Sequence, residues 1–294
     1  MRKLTINGDL FHIPQTWNEL TPDQFLRIAE LSIEAMPVAE FRLKLFLTIT
    51  GLRVSNKPEV FIDEDPCYYL KHGKTNEYLV SVVELTNICK LMDFLFEVPD
   101  DEDEEKERVY RLHSKLTKQL LPEIKHRNEV YTGAADGLNN LLFAEYIHLE
   151  TAYVAFNKTR KQQFLNRMVA ILYRPYRQDD VISGDNRMEF NDALLDRDAQ
   201  MMDSLEKKYK NAVFLWYEGC RNFLGKTFPE VFYSGESGGV KRDTFESFLY
   251  LVNALTDNDV TKTEAVRRSY LYEVMVTLNQ MALTRKEFNR KLKK

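Results

Sequence analysis

The sequence is poor in cysteine, glycine and proline, and it has no long apolar run. It contains 3 cysteines, 11 glycines and 9 prolines in 294 residues. The cysteines, Cys67, Cys89 and Cys220, are odd in number and far apart, which argues against a disulfide framework and against a zinc cluster. Scarce glycine and proline favour helices over a turn-rich β fold. No apolar stretch approaches the roughly 18 residues that a membrane-spanning helix needs.

The sequence also lacks a large excess of either charge. Its net charge is −4 at pH 7, which creates no strong field to attract nucleic acid or an anionic membrane. The first eight residues lack the apolar core of a signal peptide. We therefore expect a protein of a reducing cytoplasm, or of a particle assembled there, with no membrane partner, no metal and no other cofactor.

The chain does contain an internal similarity. The stretch from Trp17 to Ile28 matches the stretch from Leu138 to Leu149, with asparagine, apolar and aromatic residues at corresponding places. A second apolar helix is expected after each stretch, and a hairpin before each. A repeated supersecondary unit indicates a duplicated scaffold. Two amphipathic helix pairs that look alike by chance are the alternative.

Turn and cap signals predict where the elements lie. Asn7-Gly8 is the preferred pair for a tight hairpin turn, and Thr21-Pro22 caps and opens a helix. Apolar spacing predicts the remaining helices. The expected helices lie at about 21–32, 39–52, 82–97, 141–156, 158–173, 189–226 and 243–255, with a last one from Thr263, and the strands at 60–62 and in hairpins at 4–13, 68–80 and 116–132.

These patterns predict a mainly α-helical fold with small β-hairpins. It would consist of two similar hairpin–helix–helix units plus a helical C-terminal extension. The expected division is 1–98 for the first unit, 99–115 for an acidic linker, 116–240 for the second unit with a long helix, and 241–294 for the extension. Six consecutive acids at 100–105 indicate the linker, because like charges repel and disfavour packing. An acidic arm that docks on a basic partner is the alternative for that run.

Two motifs resemble catalytic or nucleotide-binding sequences but differ in spacing or order. Residues 219–227 resemble a phosphate loop, but five residues separate the glycines where the loop has four. Apolar residues at helical spacing instead predict a helix from Val213 to Leu224, with Trp216 and Phe223 buried and Lys226 near its end. Residues 235–239 match the G-x-S-x-G pattern of hydrolases, whose histidine follows the serine. All five histidines of this chain precede it, so we expect no catalytic residue.

Aromatic residues are plentiful, with 18 phenylalanines and 15 tyrosines. Two clusters of them fall at segment ends, at 173–177 and 228–233, and the first includes arginine. Tyrosine and arginine are enriched at protein interfaces, so these clusters are candidate partner-binding residues. Packing at the ends of helical layers is the alternative. The candidates are Tyr173, Arg174, Tyr176, Phe228, Val231 and Phe232.

Parts of the chain resemble a known group of proteins. The helix around Glu145-Tyr146, followed by 171–175, resembles helical assembly proteins of tailed bacteriophages and related prophages, of the tail-assembly-chaperone or virion-component kind. Residues 214–220 and 228–232 resemble versions of this group from gut Bacteroidetes phages. The resemblance covers about 138–280, and none of its motifs marks a catalytic residue.

The resemblance implies protein–protein binding during or within particle assembly. We therefore expect a non-enzymatic virion structural protein or assembly chaperone that binds other phage proteins or further copies of itself. Its expected location is the host cytoplasm during assembly, with the virion as a second location. The alternative from another class is a nucleotide-dependent or nucleic-acid-processing factor that uses 219–227 and the basic C-terminal tail.

Overall fold

The structure is a computed structural model that describes residues 1–34, 36–97, 112–177, 185–232 and 243–292. The chain forms two compact units: unit 1 comprises 1–116 and 207–215, and unit 2 comprises 117–206 and 216–294. The predicted extension, 241–294, is thus grouped with unit 2. The acidic run at 100–105 and the G-x-S-x-G motif at 235–239 lie outside the described residues.

Unit 1 begins with an antiparallel hairpin followed by two helices and a sheet. Its elements are β1 (Arg2–Ile6), β2 (Asp9–Ile13), α1 (Pro22–Leu31), α2 (Val38–Thr50), β3 (Leu52–Val54), β4 (Val60–Ile62), β5 (Asp65–His72), β6 (Asn76–Ser81) and α3 (Val82–Cys89). Asn7 and Gly8 form the first turn with positive φ values of 47° and 93°, as the turn type requires. β5 pairs antiparallel with β6 along one edge and with β3 and β4 on the other.

Unit 2 repeats the opening order and then continues in helices. Its elements are β7 (Glu123–His126), β8 (Glu129–Gly133), α4 (Phe143–Thr159), α5 (Gln162–Leu172), β9 (Tyr173–Pro175), α6 (Leu195–Met201), α7 (Lys207–Thr227, whose first nine residues belong to unit 1), α8 (Pro229–Phe232), α9 (Thr244–Leu255), α10 (Thr263–Arg268) and α11 (Leu271–Leu292). Helices thus dominate the described residues, with small sheets and hairpins, and the predicted α-rich fold with β-hairpins is confirmed. No helix in those residues is long and apolar enough to cross a bilayer.

The two opening segments share their order of elements. Each has a hairpin, a short 3₁₀ turn (17–19 or 136–138) and two helices. Residues at matched positions are buried in both segments. These pairs are Trp17 and Leu138, Phe25 and Tyr146, Ile28 and Leu149, Leu45 and Met168, and Phe46 and Val169. The pairing of the next strand differs, because β9 joins its own hairpin whereas β3 joins β5.

Both first helices are capped in a related way. Thr21 Oγ1 accepts a hydrogen bond from the Gln24 N–H, and Gln24 Oε1 accepts one from the Thr21 N–H, which completes a capping box. Leu142 has no side-chain acceptor, but Glu145 Oε2 accepts from the Leu142 N–H at 2.8 Å. The third helical residue therefore satisfies one unpaired backbone donor at the start of α1 and of α4.

Two predicted helices are interrupted. The region 189–226 contains 3₁₀ turns at 192–194 and 202–204 and an extended link at Leu205, whose side chain is buried. The helix expected from Thr263 is divided between α10 and α11. There the Phe143 N–H donates to the Ser269 carbonyl and the Leu271 N–H donates to the Leu141 carbonyl. These tertiary backbone bonds replace the helical ones, so apolar spacing alone did not predict the break.

Candidate partner-binding surface

The six candidate residues differ in exposure. Tyr173, Arg174 and Phe228 are buried, Val231 and Phe232 are partly exposed, and Tyr176 is 54% exposed. All six were predicted to bind a partner, with packing at the ends of helical layers as the alternative. The three buried side chains instead contact other parts of unit 2. For the other three, partner binding stays a prediction.

Tyr173 is part of the core of unit 2. Its hydroxyl donates a hydrogen bond to the Leu121 carbonyl at 2.7 Å and lies 3.2 Å from Gln119 Oε1. A Cβ at Gly133 would lie 2.9 Å from the Tyr173 ring, so the strand can pass the ring because residue 133 is glycine. Burial raises the pKa of Tyr173, which keeps its hydroxyl a donor.

Phe228 packs at the end of α7. Its ring meets Tyr272 edge-on, with the ring centres 6.0 Å apart, a preferred geometry for aromatic pairs. The Tyr272 hydroxyl donates to the Gly137 carbonyl at 2.7 Å. Phe228 therefore fits the alternative interpretation, in which aromatic residues pack at the ends of helical layers.

Arg174 is buried in an ion-pair cluster. We call it the arginine cluster and define it as Glu145, Arg174, Asp185 and Arg187. The carboxylate of Glu145, which is fully buried, forms a hydrogen-bonded ion pair with Arg174 and lies 3.4 Å from Arg187 Nη2. Asp185 accepts hydrogen bonds of 2.8 to 3.2 Å from Arg187. Two carboxylates thus neutralise two guanidinium groups, the condition under which buried charges are stable.

The arginine cluster also fixes the backbone around it. Arg174 donates to the Met188 carbonyl at 2.6 Å and to the Ile171 carbonyl at 3.0 Å. Burial alone would raise the pKa of Asp185, but the hydrogen bonds and charge of Arg187 outweigh it and hold that pKa below its usual value. The cluster was not predicted from the sequence. Its only local signal was Glu145 at the capping position, since its partners follow 29 to 42 residues later.

Tyr176 lies beside this cluster on a backbone that is hydrogen-bonded on both sides of it. Backbone hydrogen bonds of 2.8 and 2.9 Å pair residues 175–177 with residues 186–188, and the side chains of Arg174 and Arg187 are buried under them. The aromatic ring is therefore mostly exposed while its backbone is held in place. Of the six candidates, Tyr176 has the geometry of a surface contact residue.

A second buried carboxylate lies further along α4. Glu150 accepts a hydrogen bond from the Tyr217 hydroxyl at 2.6 Å and two from Arg221 Nε at 2.8 and 3.0 Å. Burial and the charge of Glu150 raise the pKa of Tyr217 well above its usual value, so the hydroxyl remains a donor. The Arg221 guanidinium lies 5.9 Å from the centre of the Phe232 ring, which places Phe232 over a cation that is itself neutralised.

Residues 219–227 are helical. They lie in α7, with Trp216 buried and Lys226 exposed in the last turn, as predicted. The predicted burial of Phe223 is wrong, because its side chain is 45% exposed. In this part of α7, the buried side chains are those of Cys220 and Leu224. Helical backbone N–H groups are already hydrogen-bonded, so this segment does not form the phosphate-binding loop that the nucleotide alternative requires.

One serine–histidine contact occurs in unit 2. Ser204 Oγ lies 3.3 Å from His126 Nε2, and the same nitrogen lies 3.1 Å from the Met201 carbonyl oxygen. A carbonyl oxygen only accepts, so Nε2 must carry the proton and donate to it. This nitrogen therefore does not act as a base toward Ser204 in this arrangement.

A cavity of about 470 Å³ opens in unit 2. We call it the methionine groove, because Met188, Met201 and Met202 line it, together with Phe190, Leu194 and Leu195. Methionine side chains are flexible and polarisable, and they adapt to the shape of a partner. The carboxylates of Glu129, Glu189 and Asp198 also line this groove.

No protein-family model, curated protein or solved structure matches the chain. Among the residues that the structure describes, no three histidine, cysteine, aspartate or glutamate side chains are placed to share a metal ion.

Proposed function

We propose that this chain is a non-enzymatic protein-binding component of bacteriophage particle assembly. The observation that carries the proposal is the exposed ring of Tyr176 on a backbone fixed by the arginine cluster. The resemblance to phage assembly proteins in the sequence supplies the class of partner, which is another protein of the particle.

The backbone around Tyr176 is preorganised for binding. Binding costs free energy when side chains and loops become ordered, and a backbone that is already ordered avoids much of that cost. Tyrosine adds a large contact area with only two side-chain torsions and a polar hydroxyl at its end. An exposed tyrosine whose backbone is held by hydrogen bonds therefore contributes more to binding affinity than the same residue on a mobile loop.

The test is capture of phage proteins by tagged protein in cells that produce the phage. We expect the wild-type chain to capture virion or assembly proteins, identified by mass spectrometry. Tyr176→Ser should reduce that capture about tenfold, which corresponds to about 1.4 kcal/mol, and leave the melting temperature unchanged.

Phe61→Ser is the matched control, because Phe61 is an aromatic residue of similar exposure, 63%, in unit 1. It should retain capture. Equal capture by wild type and Tyr176→Ser would show that the exposed Tyr176 ring does not contribute to partner binding. Capture that contains no phage protein would reject the assembly role.

We also propose that the two hairpin–helix–helix segments are copies of one duplicated unit. The shared element order, the matched buried positions and the equivalent caps at Gln24 and Glu145 support this. In an experimental structure, the pairs α1–α2 and α4–α5 should cross at the same angle within the scatter of about 15–20° for one packing class. Crossing angles of opposite sign would reject duplication.

A further inference from the structure

The last helix ends in an exposed amphipathic segment. In α11, Leu271, Val274, Met275 and Leu278 are buried, whereas Met281 is 44%, Phe288 61% and Leu292 70% exposed. Thr277, Met281, Thr284 and Phe288 recur at intervals of four and three residues, so they lie along one face. We call this face, extended by Leu292, the α11 stripe. Lys286, which lies outside the stripe, is ion-paired with Glu230 of α8.

The end of the chain is strongly basic. Residues 281–294 include six lysines and arginines and one glutamate, a net charge of +5. Since the whole chain carries −4, residues 1–280 carry −9. The apolar stripe therefore lies on a segment whose charge is opposite to that of the rest of the chain.

The methionine groove has the complementary chemistry. It is lined by apolar and methionine side chains, by the acidic residues Glu129, Glu189 and Asp198, and by two arginines. The arginines are already ion-paired, Arg174 with Glu145 and Arg197 with Asp198. One of its walls comes from residues 185–206, which contain seven acidic residues and two arginines, a net charge of −5. Complementary charge steers association and sets the orientation of docking.

We infer that the α11 stripe of one chain docks in the methionine groove of a second copy. An amphipathic helix with its apolar face in a hydrophobic groove is a common mode of peptide recognition. The charge of +5 on the helix end and the excess of carboxylates in the groove lining, three against two guanidinium groups, favour the chain's own end as the occupant. The interface joins two different surfaces, so a pair of copies keeps one free groove on the first copy and one free helix end on the second, and the contact extends into a ring or a filament.

The inference goes beyond the proposed function and is tested on purified protein alone. Sedimentation of the full chain should show a mass that rises with concentration and falls as salt is added, because salt screens exposed charges. Phe288→Asp should raise the dissociation constant at least about tenfold. Met188→Lys, which places a cation in the groove, should do the same.

Two control variants carry similar charge changes away from the contact. Asn289→Asp follows Phe288 in the helix but lies off the stripe, and Gln200→Lys is exposed on α6 but does not line the groove. Both should associate like wild type. Melting temperatures of all four variants should match wild type, which separates lost association from lost folding.

The decisive measurement mixes the two defective variants. Phe288→Asp keeps an intact groove, and Met188→Lys keeps an intact helix end, so their equimolar mixture should form dimers and stop there. A wild-type chain that stays monomeric at every concentration would overturn the inference. So would unchanged association in either variant, or a mixture that forms no dimer. Each of these results leaves the Tyr176 capture experiment unaffected.

Discussion

Glu145 is a single carboxylate on which two buried guanidinium groups depend. Replacing it with glutamine keeps the size and the hydrogen-bonding capacity but leaves one buried positive charge without a counter-charge. Removing one member of a buried ion pair costs about 3–5 kcal/mol. We expect Glu145→Gln to lower the free energy of unfolding by that amount, measured by urea denaturation.

Glu264→Gln is the control for this change. Glu264 pairs with Arg268 one helical turn away, and both side chains are more than 60% exposed. Exposed pairs contribute about 0–1 kcal/mol, so this variant should remain close to wild type. Equal stabilities of the two variants would mean that the arginine cluster is not buried from water as described.

At the scale of elements, two glycines should respond to alanine in opposite directions. Gly51 ends α2 with a φ of 71°, and a Cβ there would meet only the His72 ring at 3.9 Å. The penalty is therefore conformational, about 1–2 kcal/mol for a left-handed residue with a side chain. Gly225 lies within α7 with nothing within 4 Å of its Cβ position.

We expect Gly51→Ala to lower the free energy of unfolding by about 1 kcal/mol and Gly225→Ala to raise it by up to about 1 kcal/mol. Both are measured by chemical denaturation. Each variant is the control for the other, because both replace glycine with alanine. A stabilising Gly51→Ala would contradict the left-handed end of α2.

Local chemistry explains which elements could be predicted. The Asn7-Gly8 turn, the capped start of α1 at Thr21 and the Asp243 cap of α9 depend on residues within four positions, and the sequence indicates all three. The interruption before α11 depends on backbone bonds to residues near 141, more than 120 positions away. Helical periodicity contains no information about such a partner, so one continuous helix was predicted.

The difference between local and long-range interactions also explains how much of the candidate site could be predicted. Aromatic residues at segment ends were visible in the sequence, but their exposure was not. Arg174 can be buried because the carboxylates of Glu145 and Asp185 neutralise it, and the charged residues of a sequence do not show which of them will meet. Tyr176, two residues later, remains at the surface. The residue types thus predicted the cluster of candidates, but they did not predict which member of it is exposed.

At the scale of the whole molecule, the reactivity of the three cysteines measures how well the core of each unit is buried. Cys67 and Cys89 are buried in unit 1, and Cys220 is buried in unit 2. Burial raises the pKa of Cys89 to about 11 and that of Cys220 further. Because the thiolate is the reactive form, a thiol with a pKa near 11 is ionised to about one part in a thousand at pH 8.

We therefore expect Cys89 and Cys220 to react slowly with a disulfide reagent in native protein at pH 8, and we expect the same of Cys67 because its burial blocks the reagent. All three should react rapidly in concentrated guanidinium chloride. Peptide mass spectrometry assigns the label to each cysteine, so the core of each unit is read separately. Native labelling then depends on opening of the surrounding structure, and should accelerate with added urea. A cysteine that reacts in native protein as fast as in denaturant would show that its unit does not bury it.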